Sequence, residues 1–83
     1  MSSITVKEEK HEVVSFLNGM NFKEGNNLLR LVRPYTRYTV QLVSGYADGQ
    51  QHSFGTVAEM LRTSKEVVNK ECDHALAVMR DRG

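Results

Sequence analysis

The chain has 83 residues, 40 % of them apolar and 25 % charged, with a formal net charge of +1. That is the composition of one folded domain. A single cysteine excludes an intramolecular disulfide and any metal site built on several thiolates. No apolar run is long enough for a signal peptide or a membrane span, so a cytoplasmic location is expected, with no membrane partner.

Three potential helix starts share one signature, a capping side chain followed three residues later by glutamate: Thr5 with Glu8, Asn21 with Glu24, and Thr63 with Glu66. In such a box the first side chain accepts from an orphan backbone N–H and the glutamate reaches back. A first helix is predicted over residues 6–17, with Val13, Val14 and Leu17 as its apolar stripe and Phe16 alongside. It should stop at Asn18-Gly19, because glycine accepts a left-handed backbone. A second is predicted over residues 23–32, with Leu28, Leu29 and Val32 inward.

Pro34 either breaks the chain or opens the next helix, since proline is tolerated in a first turn. Tyr35, Tyr38, Leu42 and Val43 then recur at helical spacing to about Ser44. The tyrosines are expected in the core or an interface. Residues 39–43 also alternate like a strand, but no partner strand is evident; residues 3–6 are a weaker strand candidate. Gly45, Asp48 and Gly49 supply the next loop.

The last third is the most informative. A short apolar-patterned helix over residues 53–61 carries Phe54, Val57, Ala58 and Leu61. Arg62-Thr63-Ser64 is a tight polar break, and a longer amphipathic helix runs from Lys65 to about Arg80, with Val68, Cys72, Leu76 and Met79 on one face. Two helices joined by a turn of a few residues have the layout of a helix-turn-helix, whose second helix can enter the DNA major groove. Ala58 suits the close crossing, and Thr63 or Ser64 caps the second helix. Lys65, Glu66, Asn69, Lys70 and Asp73 lie opposite the apolar face. Asparagine and lysine can hydrogen-bond base edges, and glutamate can accept from the cytosine amino group. The predicted fold is therefore all-α, with four or five short helices and a C-terminal helix-turn-helix.

Residues 34–80 resemble, without a gap, domain 4 of bacterial sigma-70-type sigma factors, the module that reads the promoter −35 element. The resemblance rests on Pro34, Asp48-Gly49, His52-Ser53, Val57-Ala58, Leu61, Ser64-Lys65-Glu66, Val68, Ala75-Leu76 and Arg80. It implies DNA-contacting roles for Lys65, Glu66, Asn69 and Lys70, and contact with RNA polymerase; Ser64 and Asp73 are expected beside them on the DNA, and Arg37, His52 and Arg62 as phosphate contacts. A weaker similarity, in the Leu28-Leu29, Val40 and His52-Ser53 spacing, is to PapB-type fimbrial regulators. The chain departs from the sigma pattern at the turn, where Arg62 replaces glycine. Glu71 replaces an apolar residue, Asn69 an arginine, and Gly55-Thr56 an acidic pair. Residues 1–33 have no counterpart, and the DNA-melting part of a sigma factor is absent.

One helical domain, residues 1–83, is thus expected. Residues 1–33 would form a homodimer or partner surface and residues 34–83 the reading module. The function expected is transcriptional control through sequence-specific binding of double-stranded DNA, in a small phage- or plasmid-type regulator. The alternative is a protein-interaction module that binds RNA polymerase or a sigma factor without specific DNA readout. The near-neutral charge favours the alternative, since dedicated nucleic-acid binders are often basic. Arg30, Arg33 and Arg37 are a local cationic cluster able to track phosphates. His11, His52 and His74 are scattered, no glycine-rich elbow surrounds a serine, and Cys72 reads as a small core residue. No catalytic residue, metal site or cofactor is expected.

Overall fold

His11 decides where the first helix begins. Its extended backbone caps α1 (Glu12–Asn18), and its Nδ1 accepts from the Val13 N–H at 3.0 Å. The computed structural model describes residues 11–82. The expected start at residue 6 is therefore corrected to Glu12, while the Thr5–Glu8 box and the strand candidate at residues 3–6 lie outside the described residues. Gly19 ends α1 without the left-handed turn expected of it, at φ −83°. Its N–H reaches the Ser15 carbonyl instead.

The cap half of the Asn21 box forms. Asn21 Oδ1 accepts from the Glu24 N–H at 2.8 Å and starts α2 (Phe22–Leu29). This helix ends three residues short of the expected Val32. Pro34 keeps Arg33 extended, at ψ 156°, and Arg37 caps the freed carbonyls, its Nε donating to Leu29 and its Nη2 to Val32, both at 3.1 Å. A guanidinium satisfies carbonyls that would otherwise need a further helical turn.

Pro34 opens α3 (Pro34–Ser44) as its first residue, so residues 39–43 are helical and the strand alternative is excluded. Gly45 ends α3 in the left-handed region at φ 91°, where glycine carries no Cβ penalty. The side chain of Tyr46 then crosses α2. A Cβ on Gly25 would lie 2.0 Å from the Tyr46 hydroxyl and 2.6 Å from its Cζ, so only glycine fits beneath the ring. The phenol donates to the Leu17 carbonyl at 3.2 Å, and its ring stacks on Phe22 at 4.8 Å between centroids. A single aromatic side chain thus ties the end of α1 to α2 and to the α3–α4 loop.

Ser53 caps α4 (Phe54–Leu61) by accepting from the Thr56 N–H. The turn that follows closes with two bonds, Thr63 N–H to the Ala58 carbonyl and Arg62 N–H to the Glu59 carbonyl. That is the Schellman pattern, and its left-handed position belongs to Arg62, at φ 58° and ψ 49°. The last helix, α5 (Lys65–Arg82), is capped by Ser64, whose Oγ accepts from the Val67 N–H at 3.2 Å. The Thr63–Glu66 box therefore does not form: Thr63 closes the turn, Ser64 is the cap, and the residue three on is Val67.

The molecule is all-α across its described residues, with five helices. α5 touches every other helix. Its Val68, Cys72, Ala75 and Met79 are wholly buried among Val13, Leu17, Leu29, Val40 and Val57 from the other four. Each fully buried side chain of this size contributes about 1.5–3 kcal/mol before entropy costs. Tyr35 and Tyr38, expected in the core or an interface, are not in the core but exposed on α3, where Thr36, Thr39, Val40 and Val43 take the inward positions. Met60 is likewise exposed while Met79 fills the core. Among the described residues no helix is long and apolar enough to cross a membrane.

Candidate nucleic-acid interface

The apolar face of α5 is consumed by the core, which fixes its polar face outward. Ser64, Lys65, Glu66, Asn69, Lys70 and Asp73, the six residues predicted to meet DNA, are all exposed. They do not form one uniform surface. Ser64 is occupied as the cap. The Asp73 carboxylate is taken by His11, whose Nε2 lies 2.5 Å from its Oδ1. Because Nδ1 accepts from Val13, the ring proton sits on Nε2 and points at Asp73. The same ring lies 6.0 Å from that of Phe54, so His11 joins α1, α4 and α5.

Two turns further on, Arg80 Nη2 donates to Glu12 Oε1 at 3.2 Å. These two contacts fasten the start of α1 along the distal half of α5. The first two turns of α5 remain open. There Lys65, Glu66, Asn69 and Lys70 make no side-chain hydrogen bond or ion pair among the described residues. Lys65 leans back over α4, with its Cε 3.5 Å from where a Cβ on Gly55 would lie.

Glu71 stands where an apolar residue was expected and is half-buried. Burial of a lone carboxylate would be costly, but the Thr36 hydroxyl of α3 donates to its Oε1. That bond ties α3 to α5 beside the core. Cys72, next in sequence, has its thiol pushed up to about 12, first by burial and then by the neighbouring Asp73 and Glu71 carboxylates. A thiol held protonated is a packing group and a poor nucleophile.

The three residues assigned phosphate contacts are separated. Arg37 caps α2 with two of its N–H groups. His52 pairs with Asp48 at 3.1 Å and its backbone N–H donates to the Leu42 carbonyl. The His52 hydrogen bond holds the Asp48 carboxyl below the usual carboxylate range. Arg62 alone stands beside the open end of α5, exposed, in the turn. Among the described residues no cluster of histidine, cysteine, aspartate and glutamate side chains could hold a metal ion.

Sequence reasoning missed a second polar surface. An open groove of about 550 Å³ between α2 and α3 is lined by Phe22, Lys23, Asn26, Asn27, Arg30, Arg37 and Gln41. The cationic cluster had been noted as Arg30, Arg33 and Arg37. The i, i+3, i+4 spacing of Lys23, Asn26 and Asn27 was the available signal that α2 contributes a face to it.

Searches against protein-family models, curated proteins and solved structures gave no match to this chain.

Proposed function

We propose that the protein is a small transcriptional regulator that binds double-stranded DNA in the cytoplasm and lays the first two turns of α5 in the major groove. The observation that carries this reading is the open amino end of α5 behind a three-residue turn, with Lys65, Glu66, Asn69 and Lys70 exposed and unengaged among the described residues. Lys70 and Asn69 would contact bases or phosphates. Glu66 would penalise bases that offer it no donor. Arg62 and Lys65 flank the helix end, where backbone N–H groups favour a phosphate. The similarity to the sigma domain that reads promoters supports the same arrangement.

The charge on this face limits affinity. Arg62, Lys65 and Lys70 stand against Glu66 and Asp73, a balance of only +1. With Arg62, Lys65 and Lys70 each displacing one counterion, the slope of log affinity against log salt should be about −2.7. The test is selection of a duplex from a random pool, then affinity by fluorescence anisotropy across salt. The double change Asn69→Ala and Lys70→Ala should weaken binding to the selected site more than tenfold while leaving the thermal transition in place. Unchanged affinity removes these residues from the interface, and failure to enrich any site removes the DNA reading.

One observation favours the adaptor reading instead. Leu31, Tyr35 and Tyr38 leave large apolar surfaces exposed around the start of α3, and exposed aromatic residues suit a protein contact. Binding of purified RNA polymerase or a sigma factor that is lost in Tyr35→Ser plus Tyr38→Ser, with no duplex enriched, would select it.

A further inference from the structure

The groove between α2 and α3 concentrates the chain's unopposed positive charge. The chain carries 11 Lys and Arg against 10 Asp and Glu, a balance of +1. Lys23, Arg30 and Arg37 line the groove and no acidic residue does. The rest of the chain is therefore left with 8 cations and 10 anions, or −2. Beside these cations stand three carboxamides, Asn26, Asn27 and Gln41. None of the three, nor Lys23 or Arg30, uses its side chain in a hydrogen bond or ion pair among the described residues. Arg37 is held in place by its two bonds to the Leu29 and Val32 carbonyls, which leave its Nη1 donors for a ligand. At the rim, Phe22 is 60 % exposed, although its ring is held by stacking on Tyr46. Tyr46 is in turn fixed by Leu17 and by the bare backbone of Gly25.

We propose that this groove binds a nucleotide, with the base stacked on the outer face of Phe22, the carboxamides of Asn26, Asn27 and Gln41 meeting the base edge or sugar, and Lys23, Arg30 and Arg37 holding the phosphate. Each part answers a different part of the ligand. Carboxamides offer both donors and acceptors, which a base edge needs and an inorganic anion does not. A planar guanidinium matches phosphate oxygens. A rigidly backed aromatic ring is a stacking platform for any base. The same chemistry is presented by a free nucleotide and by one unit of a single strand. The site uses no residue of α5, so it stands or falls apart from the duplex reading.

The test is a titration of the ¹⁵N-labelled full chain, followed by amide shifts, with adenosine monophosphate, adenosine, inorganic phosphate, an acidic hexapeptide and an oligonucleotide of about eight nucleotides. Adenosine monophosphate should shift residues 22–30 and 37–41 and bind more tightly than adenosine, phosphate or the peptide. Phe22→Ala should weaken it about fivefold or more, the loss expected for one stacked base, and leave the phosphate titration unchanged. Arg30→Gln should weaken both. An oligonucleotide more than about tenfold tighter than the mononucleotide assigns the site to a strand, and a smaller ratio assigns it to a free nucleotide. No shift at about 10 mM ligand, a range that detects even millimolar affinities, overturns the proposal. Shifts indifferent to both substitutions, or a peptide that binds as well as the nucleotide, overturn it equally.

Discussion

Gly25→Ala sets two effects against each other, and the structure says which wins. Alanine in place of a helical glycine is worth about 1 kcal/mol in propensity. Here, however, the new methyl would sit 2.0 Å from the Tyr46 hydroxyl and 2.6 Å from its ring carbon. The ring must leave. It forfeits the hydrogen bond to Leu17, about 1 kcal/mol, and the stack on Phe22, about 0.5–1.5 kcal/mol. The half-buried ring surface is re-exposed as well, which adds about 1 kcal/mol at 25 cal/mol per Å² for some 40 Å². Losses of about 2.5–3.5 kcal/mol against a gain of about 1 leave Gly25→Ala destabilising by about 2 kcal/mol. In a Tyr46→Ala background the three atoms nearest that Cβ are gone, and the same change should stabilise by about 1 kcal/mol. Urea denaturation followed by circular dichroism would measure all four corners of this cycle. The reasoning is refuted if Gly25→Ala has the same sign in both backgrounds, because the cost would then not come from Tyr46.

Two further substitutions probe the turn and the core. Arg62→Gly removes a Cβ from a left-handed residue and should stabilise the fold by about 1 kcal/mol after glycine's own entropy cost, raising the melting temperature by about 4–8 °C; a lower melting temperature would mean that the arginine side chain stabilises the turn more than its backbone strains it. Cys72 should make the protein alkali-sensitive. Its folded thiol, at about 12, lies above the unfolded value of 9.0, so the unfolded chain loses its proton first. Stability is complete below pH 9 and falls by about 4 kcal/mol as pH rises towards 12. Cys72→Ala should flatten that limb in denaturant titrations at pH 8 and pH 11, with the raised Tyr46 phenol left to supply the remainder.

The helices were legible wherever local chemistry decided the outcome. Asn21, Pro34, Ser53 and the apolar spacing of Val68, Cys72, Leu76 and Met79 each act within a few residues of themselves, and each stands where its pattern put it. The boundaries that moved were set by distant partners. Arg37 caps the end of α2 from the next helix, and His11 begins α1 while bound to Asp73, 62 residues away. No local window contains both His11 and Asp73, and although Arg37 lies only eight residues from Leu29, no propensity rule places its guanidinium on that carbonyl. Glu71 illustrates the same limit: beside Cys72 it reads as a misplaced charge, and only the fold brings Thr36 to it. The polar face of α5 was readable because its opposite face is apolar at helical spacing. The groove between α2 and α3 was not, since Arg37 and Gln41 of α3 close it against residues of α2 and its C-cap Arg30.

The contacts of α1 also bear on how the proposed DNA reading must work. His11–Asp73 and Glu12–Arg80 lie along the side of α5 that carries Asn69, and they occupy its distal half. What stays open is about two turns, or roughly 11 Å of helix, close to the width of the major groove. A rod that short reaches only a few base pairs, and a face with a balance of only +1 adds little non-specific attraction. One copy therefore cannot gather the contacts of a typical specific complex. On that reading the regulator gains specificity by pairing, two copies placing their α5 helices in half-sites about one helical turn apart. The exposed Leu31, Tyr35 and Tyr38 lie away from the core that α5 organises. On that reading they would offer apolar surface to a second copy, at the start of α3 where Thr36 meets Glu71 of α5.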